Sequence, residues 1–554
     1  MKLREWEIWH TFSTFFVEPV KDLKTVARNL VQSGLFESAF LDDGDYFLHD
    51  ENDVISGKAD IRLEPERTSA IFTFSEKLPD NFSGETILES IYFRFAELRH
   101  FGENNTFPAK YIRGHLSECR LVTDKYNYRI YPTVKLYETG VLLVELRNIH
   151  PDIDITTEDF IEQFSNLYKI KFQNILVPPG LHTNGQHAFT TSDKSIRKIF
   201  LPLGRWLVDK EIKKYLKEKM VQNDDGEFGF RYVPLWEIKS SGNEKASQPD
   251  YFSIEDLVGA IFQAVSLASV GLRTGYSLLF RGQSRPLELS GYWSEHTNIH
   301  ISKFVGQRSK AQQNENKFKE DLGWIMAGLY QKDKGFSIRY LPSNARHFED
   351  FGAYVASHKT LWVWSKSGVN QQKVWEDPNR GHLIYFNQAL CEMLDYGYAL
   401  HQQILRSVSN FDRFDDAVNA KYSLVELEVM MRQPSVYGET SDLLNLGWKN
   451  MGIDEIRRAI SDILTLKQIQ ASAREQRQIF RWQTILTMTF GFLAIPELAS
   501  NFIKPFWLLS GLPRYHDVNL ASLSDIGVAF VFVCSIILIF LRITAKRNKK
   551  TNRV

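Results

Sequence analysis

The sequence predicts an α+β cytoplasmic body with an antiparallel sheet and a helical second half, then a long stalk helix and two C-terminal transmembrane helices. Three observations predict it. Strand-like apolar runs separated by turn residues fill the first 178 residues. Long helical periodicities dominate the rest of the body. Two apolar runs near the C-terminus are long enough to cross a bilayer and carry basic flanks.

The strand signal is clearest in "YPTVKLYETGVLLVELRNI" (131–149), two runs around Thr139 and Gly140. A glycine between alternating apolar runs is a hairpin signal. "SAIFTFSE" (69–76) reads as another strand. "TTEDFIEQFSNLY" (156–168) reads as a helix with Thr156 or Thr157 as its N-cap, because a threonine oxygen can take an unpaired first-turn N–H. The polar segment 239–250 reads as a linker, which divides the body into an α+β domain at 1–240 and a mainly helical domain at 251–450. In the second, "SIEDLVGAIFQAVSLASVGL" is an apolar helix capped by Ser253. "KTLWVWS" is a strand, "HLIYFNQALCEMLDYGYALHQQIL" is a long helix, and "KYSLVELEVMMRQ" is one more.

The stalk is assigned to 454–480, capped by Asp454, with Ile456, Ile460 and Ile463 as an apolar seam. No proline or glycine interrupts it before Gly491, so one helix is expected from Asp454 to Asn501. About 20 residues span the hydrocarbon core. The first span is set at 482–504, an external loop at 505–522, the second span at 523–544 and a basic tail at 545–554. Arg474, Arg477 and Arg481 precede the first span, and six basic residues follow the second. Lysine and arginine excess on both outer flanks places both termini in the cytoplasm of a multi-pass inner-membrane protein.

Charge is zero over 554 residues but uneven. From Ala471 onward eleven basic residues meet four acidic ones, so the tail is basic and the body mildly acidic. This excludes a basic nucleic-acid binder and suits a tail that meets anionic headgroups. Cys119, Cys391 and Cys534 form no disulfide or zinc spacing, as expected of a reducing compartment. The charged opening "MKLREWEIWH" lacks the apolar core of a signal peptide.

The first span carries polar residues that a lipid-facing helix would not. Gln483, Thr487, Phe490, Ala494, Glu497 and Asn501 recur at spacings of three and four and share one face. Ile485 and Phe492 lie opposite. An intramembrane carboxylate faces a bundle interior or a water-filled path. Two spans cannot enclose a path, but several copies can, so the stripe implies a pore in a homo-oligomer. Pro496 takes away one backbone donor and leaves the Phe492 carbonyl unpaired, which predicts a kink.

A cytoplasmic body, a stalk running into the first span, an external loop, a second span and a basic tail together resemble the CorA family of metal-ion transporters. That family has Gly-Met-Asn-Phe at the outer end of its first span. Here the place reads Ala499-Ser500-Asn501-Phe502, which keeps the last two residues. The resemblance implies a tetramer or pentamer with Asn501 at the pore mouth, and a divalent-metal transporter as one alternative. Divergent CorA-like proteins also serve as membrane effectors of bacterial antiphage systems, gated by a signal made by a partner enzyme. The elaborated body and altered motif suit that use better. The third reading is a membrane-anchored sensor or enzyme whose spans are a tether.

The body offers one place for such a signal. Arg281, Gln283 and Arg285 sit in "FRGQSRP", and "FVGQRSK" repeats the idea with Arg308 and Lys310. Guanidinium groups beside a flexible glycine can grip a phosphate, so a nucleotide or oligonucleotide is the expected activator. No P-loop, dinucleotide fingerprint, GxSxG or HExxH is present. No enzymatic activity, cofactor or metal site is therefore assigned.

Overall fold

The computed structural model describes residues 1–50, 53–63, 70–75, 85–102, 109–150, 154–178, 180–181, 233–235, 251–269, 287–330, 337–375, 383–410, 422, 425, 438–510 and 518–551. It divides into two compact units. Unit 1 comprises 1–410 and 420–461, and unit 2 comprises 411–419 and 462–554.

Fifteen strands are described in unit 1. They are β1 Lys2–Phe15, β2 Ser38–Leu41, β3 Asp45–Asp50, β4 Asp53–Leu63, β5 Ala70–Phe74, β6 Tyr111–His115, β7 Cys119–Val122, β8 Asn127–Tyr137, β9 Val141–His150, β10 Ile155–Thr156, β11 Asn174–Val177, β12 Val233–Pro234, β13 Ser294–Phe304, β14 Phe351–Val355 and β15 Lys359–Trp364. The main path runs β14-β15-β13-β1-β9-β8-β6-β2-β3-β4-β5. Its helices are α1 Leu23–Gln32, α2 Glu85–Phe101, α3 Thr157–Phe160, α4 Ile254–Ala268, α5 Ala311–Ala327, α6 Lys366–Trp375, α7 Leu383–Asn410 and α8 Gly438–Asn450. After them come α9 Ile453–Leu493, α10 Ile495–Leu498, α11 Lys504–Ser510 and α12 Val518–Thr551.

The fold is α+β with a helical second half, but the sheet is mixed where an antiparallel one was expected. β13 and β15 run parallel, because α5 and β14 intervene and carry the chain back to the same edge. The expected division of the body between 1–240 and 251–450 also fails. β13 pairs with β1 over ten residues, so strands from both sides of the linker share one sheet. The linker itself, the helix expected over 421–433 and the loop after Leu181 lie outside the described residues, apart from Tyr422 and Val425, each of which is helical.

Several expectations hold. β8 and β9 form the hairpin, with Gly140 at a φ of 91°, a conformation glycine adopts without a Cβ penalty. Thr156 caps α3, accepting from the Asp159 N–H at 3.1 Å. The helix expected there then passes into a π turn, Ile161–Ser165, and a 3₁₀ turn, Leu167–Lys169. At α4 the Asp256 carboxylate accepts from the Ser253 N–H at 2.9 Å.

One face of the sheet is hydrocarbon. Ile8, Phe12, Val134, Val144, Leu146 and Ile299 pack there in one core with residues of α1 and α4. The opposite face lies against α2, α7 and α8. It has apolar patches around Trp9 and Trp362, but between them it is polar.

The stalk helix α9 starts at Ile453, with Gly452 at a φ of 80° before it. Asp454 therefore lies inside the first turn and pairs with Arg457, and it is not the cap. Ile456, Ile460 and Leu464 are buried. The helix runs 41 residues, about 60 Å, and stops at Leu493 rather than continuing to Asn501. Pro496 accounts for the stop: it cannot donate to the Phe492 carbonyl, and its ring clashes with the preceding turn. The segments Gln476–Leu493 and Ile495–Trp507 meet at 45°.

Candidate functional site

The C-terminal helices of unit 2 carry this bend. Among the described residues one helix is long and apolar enough to cross a bilayer, the stretch Ala521–Leu538 of α12 with mean hydropathy 2.2. It is only 22% buried, unlike a core helix. The bent pair Gln476–Leu493 and Ile495–Trp507 passes the same test only when taken together. The kink expected at Pro496 within 482–504 is present as this bend. Helix occupies part of the expected loop at 505–522, since α11 extends to Ser510 and α12 begins at Val518. The basic tail is helical through Thr551.

The two arms meet through small and aliphatic side chains. Ile495 and Ala499 are buried against Ala529 and Val533. Gly491 lets α12 approach, since a Cβ there would stand 3.3 Å from the Val533 methyl. The polar stripe points elsewhere. Gln483, Thr487, Phe490, Glu497 and Asn501 are exposed and Ala494 is half-buried. Thr487 donates to the Gln483 carbonyl at 2.7 Å, which spares its hydroxyl from lipid. The Asn501 amide oxygen accepts from Ser500 at 3.3 Å. Phe490, Leu493, Phe502, Phe506, Leu509 and Leu523 are each more than 60% exposed. Apolar side chains left bare in such numbers mark a surface for protein or membrane contact.

The ligand residues expected in the body are divided. Arg281, Gln283 and Arg285 lie outside the described residues. Arg308 and Lys310 lie on the exposed turn between β13 and α5. Lys310 pairs with Glu349 at 2.8 Å, both half-exposed. The Arg308 guanidinium makes no contact among the described residues, while its carbonyl accepts from Lys366 N–H at 2.9 Å. Among the described residues no group of three or more His, Cys, Asp or Glu could hold a metal.

The polar layer beneath α7 was not anticipated. Arg113 on β6 donates to Glu145 on β9 at 3.3 Å and to Glu392 on α7. Lys135 on β8 donates to Glu97 on α2 at 2.5 Å and to Glu392 at 2.7 Å. Gln388 donates to Glu145 at 2.8 Å, and Tyr111 to Glu97 at 2.5 Å. All five charged residues are at most 2% exposed. Burial, and next the Glu392 carboxylate, push the Glu145 carboxyl well above the usual range. Burial opposes both cations, but the surrounding carboxylates outweigh it and hold their pKa values above the ordinary range. Farther along α7, His296 shares a 2.7 Å hydrogen bond with Asp395 and a 2.9 Å one with Thr360.

Another buried cation sits on the hydrocarbon face. Lys359 Nζ is 2.8 Å from Ser165 Oγ, 3.2 Å from Asn166 Oδ1 and 3.3 Å from the Ile325 carbonyl. Gly328 makes room, since a Cβ there would meet Nζ at 2.8 Å. Among the described residues no carboxylate contacts the amine, and burial, aided by Lys169 and opposed weakly by Glu295, lowers its pKa to about 7. The unfolded chain, with an ordinary lysine near 10.4, binds the extra proton between these values. Stability from this group therefore rises with pH from about 7 to about 10. Lys359→Met should flatten that rise. The check is the difference between parent and variant melting temperatures from pH 6.5 to 10. Parallel curves would show that Lys359 is charged in the fold.

Comparison with known proteins returns no family model, no curated protein and no solved structure that matches this chain.

Proposed function

We propose that the chain is a subunit of an oligomeric CorA-like ion channel in the bacterial inner membrane, gated by its cytoplasmic body. In this reading it is a ligand-activated antiphage effector that permeabilises the membrane. The observation that carries the reading is the bent hairpin. Its arms pack through Ile495, Ala499, Ala529 and Val533, while Glu497 and Asn501 face away from that contact. In a ring of four or five copies, those faces would line the axis and the bare hydrocarbon would meet lipid and neighbouring copies. Among the described residues the Glu497 carboxylate has no hydrogen-bond or ion-pair partner within its own chain, as a pore-lining carboxylate would. The test is ion flux through the purified protein in liposomes. Absence of flux under every candidate activator would leave the tether reading, which the single straight span Ala521–Leu538 favours.

Two expectations accompany it. Both termini face the cytoplasm, because the strong basic clusters flank the hairpin on one side. A reporter fused after Val554 should be active only if it works in the cytoplasm, and periplasmic activity alone would refute the topology. The activator is an anionic nucleotide or oligonucleotide made by a partner enzyme, gripped by Arg281, Arg285 and Arg308 with Gln283 and Lys310 beside them. Arg281→Ala with Arg285→Ala should raise the activator concentration for half-maximal flux at least tenfold, and Arg308→Ala should raise it less. Activation curves unchanged in both variants would remove these turns from the gating site.

A further inference from the structure

The interface between α7 and the sheet is built unlike the hydrocarbon face behind it. Two cations on neighbouring strands, Arg113 and Lys135, converge on the single carboxylate of Glu392. The Phe93 ring lies 3.5 Å from the guanidinium carbon, and the Tyr111 ring 4.0 Å from the ammonium. A guanidinium and an ammonium closing on one anion, over aromatic walls, is a phosphate-gripping arrangement. Here the protein's own helix fills it.

The polar part of this seam costs less to open than its apolar part, where Leu390, Met393 and Leu394 of α7 are buried with Tyr137, Leu143 and Trp362. Parting an apolar face exposes hydrocarbon to water. Parting an ion-pair layer returns to each charge the hydration it gave up on burial, so the layer fixes register without adding much net cohesion. The helix that would lift is tied to the stalk. Arg457, in the second turn of α9, donates to His401 Nε2 of α7 at 3.1 Å, and His401 Nδ1 donates to the Gly397 carbonyl at 2.7 Å. Burial lowers His401 to about 4, which keeps Nε2 a free acceptor for Arg457. Trp448 of α8 donates to the Leu394 carbonyl at 3.3 Å and fills the space left at Gly397, where a Cβ would come within 2.8 Å of its indole nitrogen.

We propose that Glu392 is a built-in anion that keeps α7 seated on Arg113 and Lys135, and that a phosphate-bearing ligand takes this pair, unseating α7 and with it the first turns of α9. A ligand shifts an equilibrium only by its differential affinity, and only the unseated state frees the Glu392-facing side of both cations, which keep Glu97 and Glu145 on their other sides. This deepens the gated-channel reading and rests on it for what the stalk then does.

The test uses full-length protein in detergent, with pyrophosphate as probe. Hydrogen exchange of α7 should quicken in the parent with millimolar pyrophosphate. In Glu392→Gln it should quicken at least tenfold without any, while α4 on the opposite face keeps its protection. Calorimetry should show pyrophosphate binding at least tenfold tighter to Glu392→Gln than to the parent, and binding lost in Lys135→Met. If Glu392→Gln alone loses protection throughout unit 1, Glu392→Gln with Lys135→Met removes one charge of each sign and decides instead. Exchange of α7 equal to the parent's in these variants, or α7 and pyrophosphate indifferent to each other, overturns the proposal. Neither readout uses ion flux, so a failed channel reading and a failed lock remain distinguishable.

Discussion

Arg113→Ala is expected to destabilise the body by about 3–5 kcal/mol, the usual cost of stranding one partner of a buried ion pair. Among the described residues, removing the guanidinium leaves Lys135 as the only cation on the Glu392 carboxylate and takes from Glu145 its only cationic hydrogen-bond partner. It also takes the cation from the Phe93 ring. Glu145 and Glu392 are fully buried, out of contact with bulk solvent. The companion variant makes the argument specific. Arg113→Met with Glu392→Met removes one charge of each sign and fills similar volume, leaving Lys135 opposite Glu97. It should recover most of the loss, because apolar replacement of a whole buried pair is often neutral. Melting temperature and the urea midpoint read both effects. An Arg113→Ala protein that melts with the parent would mean that the Arg113 site is hydrated.

The unequal legibility of these features has a physical cause. Local signals were reliable where a few adjacent residues decide the structure. Gly140 set the hairpin, Ser253 and Asp256 set the start of α4, and Pro496 set the bend. The polar layer had no such signal. On β9, Leu143, Glu145 and Arg147 alternate with Leu142, Val144 and Leu146, and that pattern ordinarily marks a strand with one face in water. β13 does the same with His296, Asn298 and His300, all nearly inaccessible to solvent. Partners on α2 and α7, such as Glu89, Gln388 and Asp395, lie scores to hundreds of residues away, so only the assembled fold shows that the wet-looking face is covered. The clue available beforehand was a lone charge inside a strongly apolar strand, as at Lys135 between Val134 and Leu136. The same distance effect hid the β1–β13 pairing and with it the single sheet. In the membrane segment the stripe was legible because helical periodicity is local. The length of the first arm was not, because the bend and the π turn Ala499–Ile503 alter the rise after Leu493.

Glu497→Lys is expected to give the largest functional change. In a ring of four or five copies each chain contributes one carboxylate at the same depth. Such a ring raises the local cation concentration and sets selectivity. The Glu497 side chain is exposed on a surface that α12 does not cover, one residue past Pro496, so it sits on the outer arm of the bend. Screening in the surrounding electrolyte acts over about 8 Å, too long a range to hide charges that line a narrow path from a passing ion. Replacing the ring of carboxylates by ammonium groups should lower cation flux at least tenfold and shift the reversal potential towards anions. Glu497→Gln keeps the shape and removes only the charge, so it should fall between the two. Ile495 and Ala499, which hold the arm to α12, are untouched by either change, and the variants should insert and assemble as the parent does. The measurement is reversal potential and flux in liposomes of matched protein content. Parental values in a Glu497→Lys protein that is inserted and oligomeric would place Glu497 outside the conduction path and leave the polar stripe as a contact between helices.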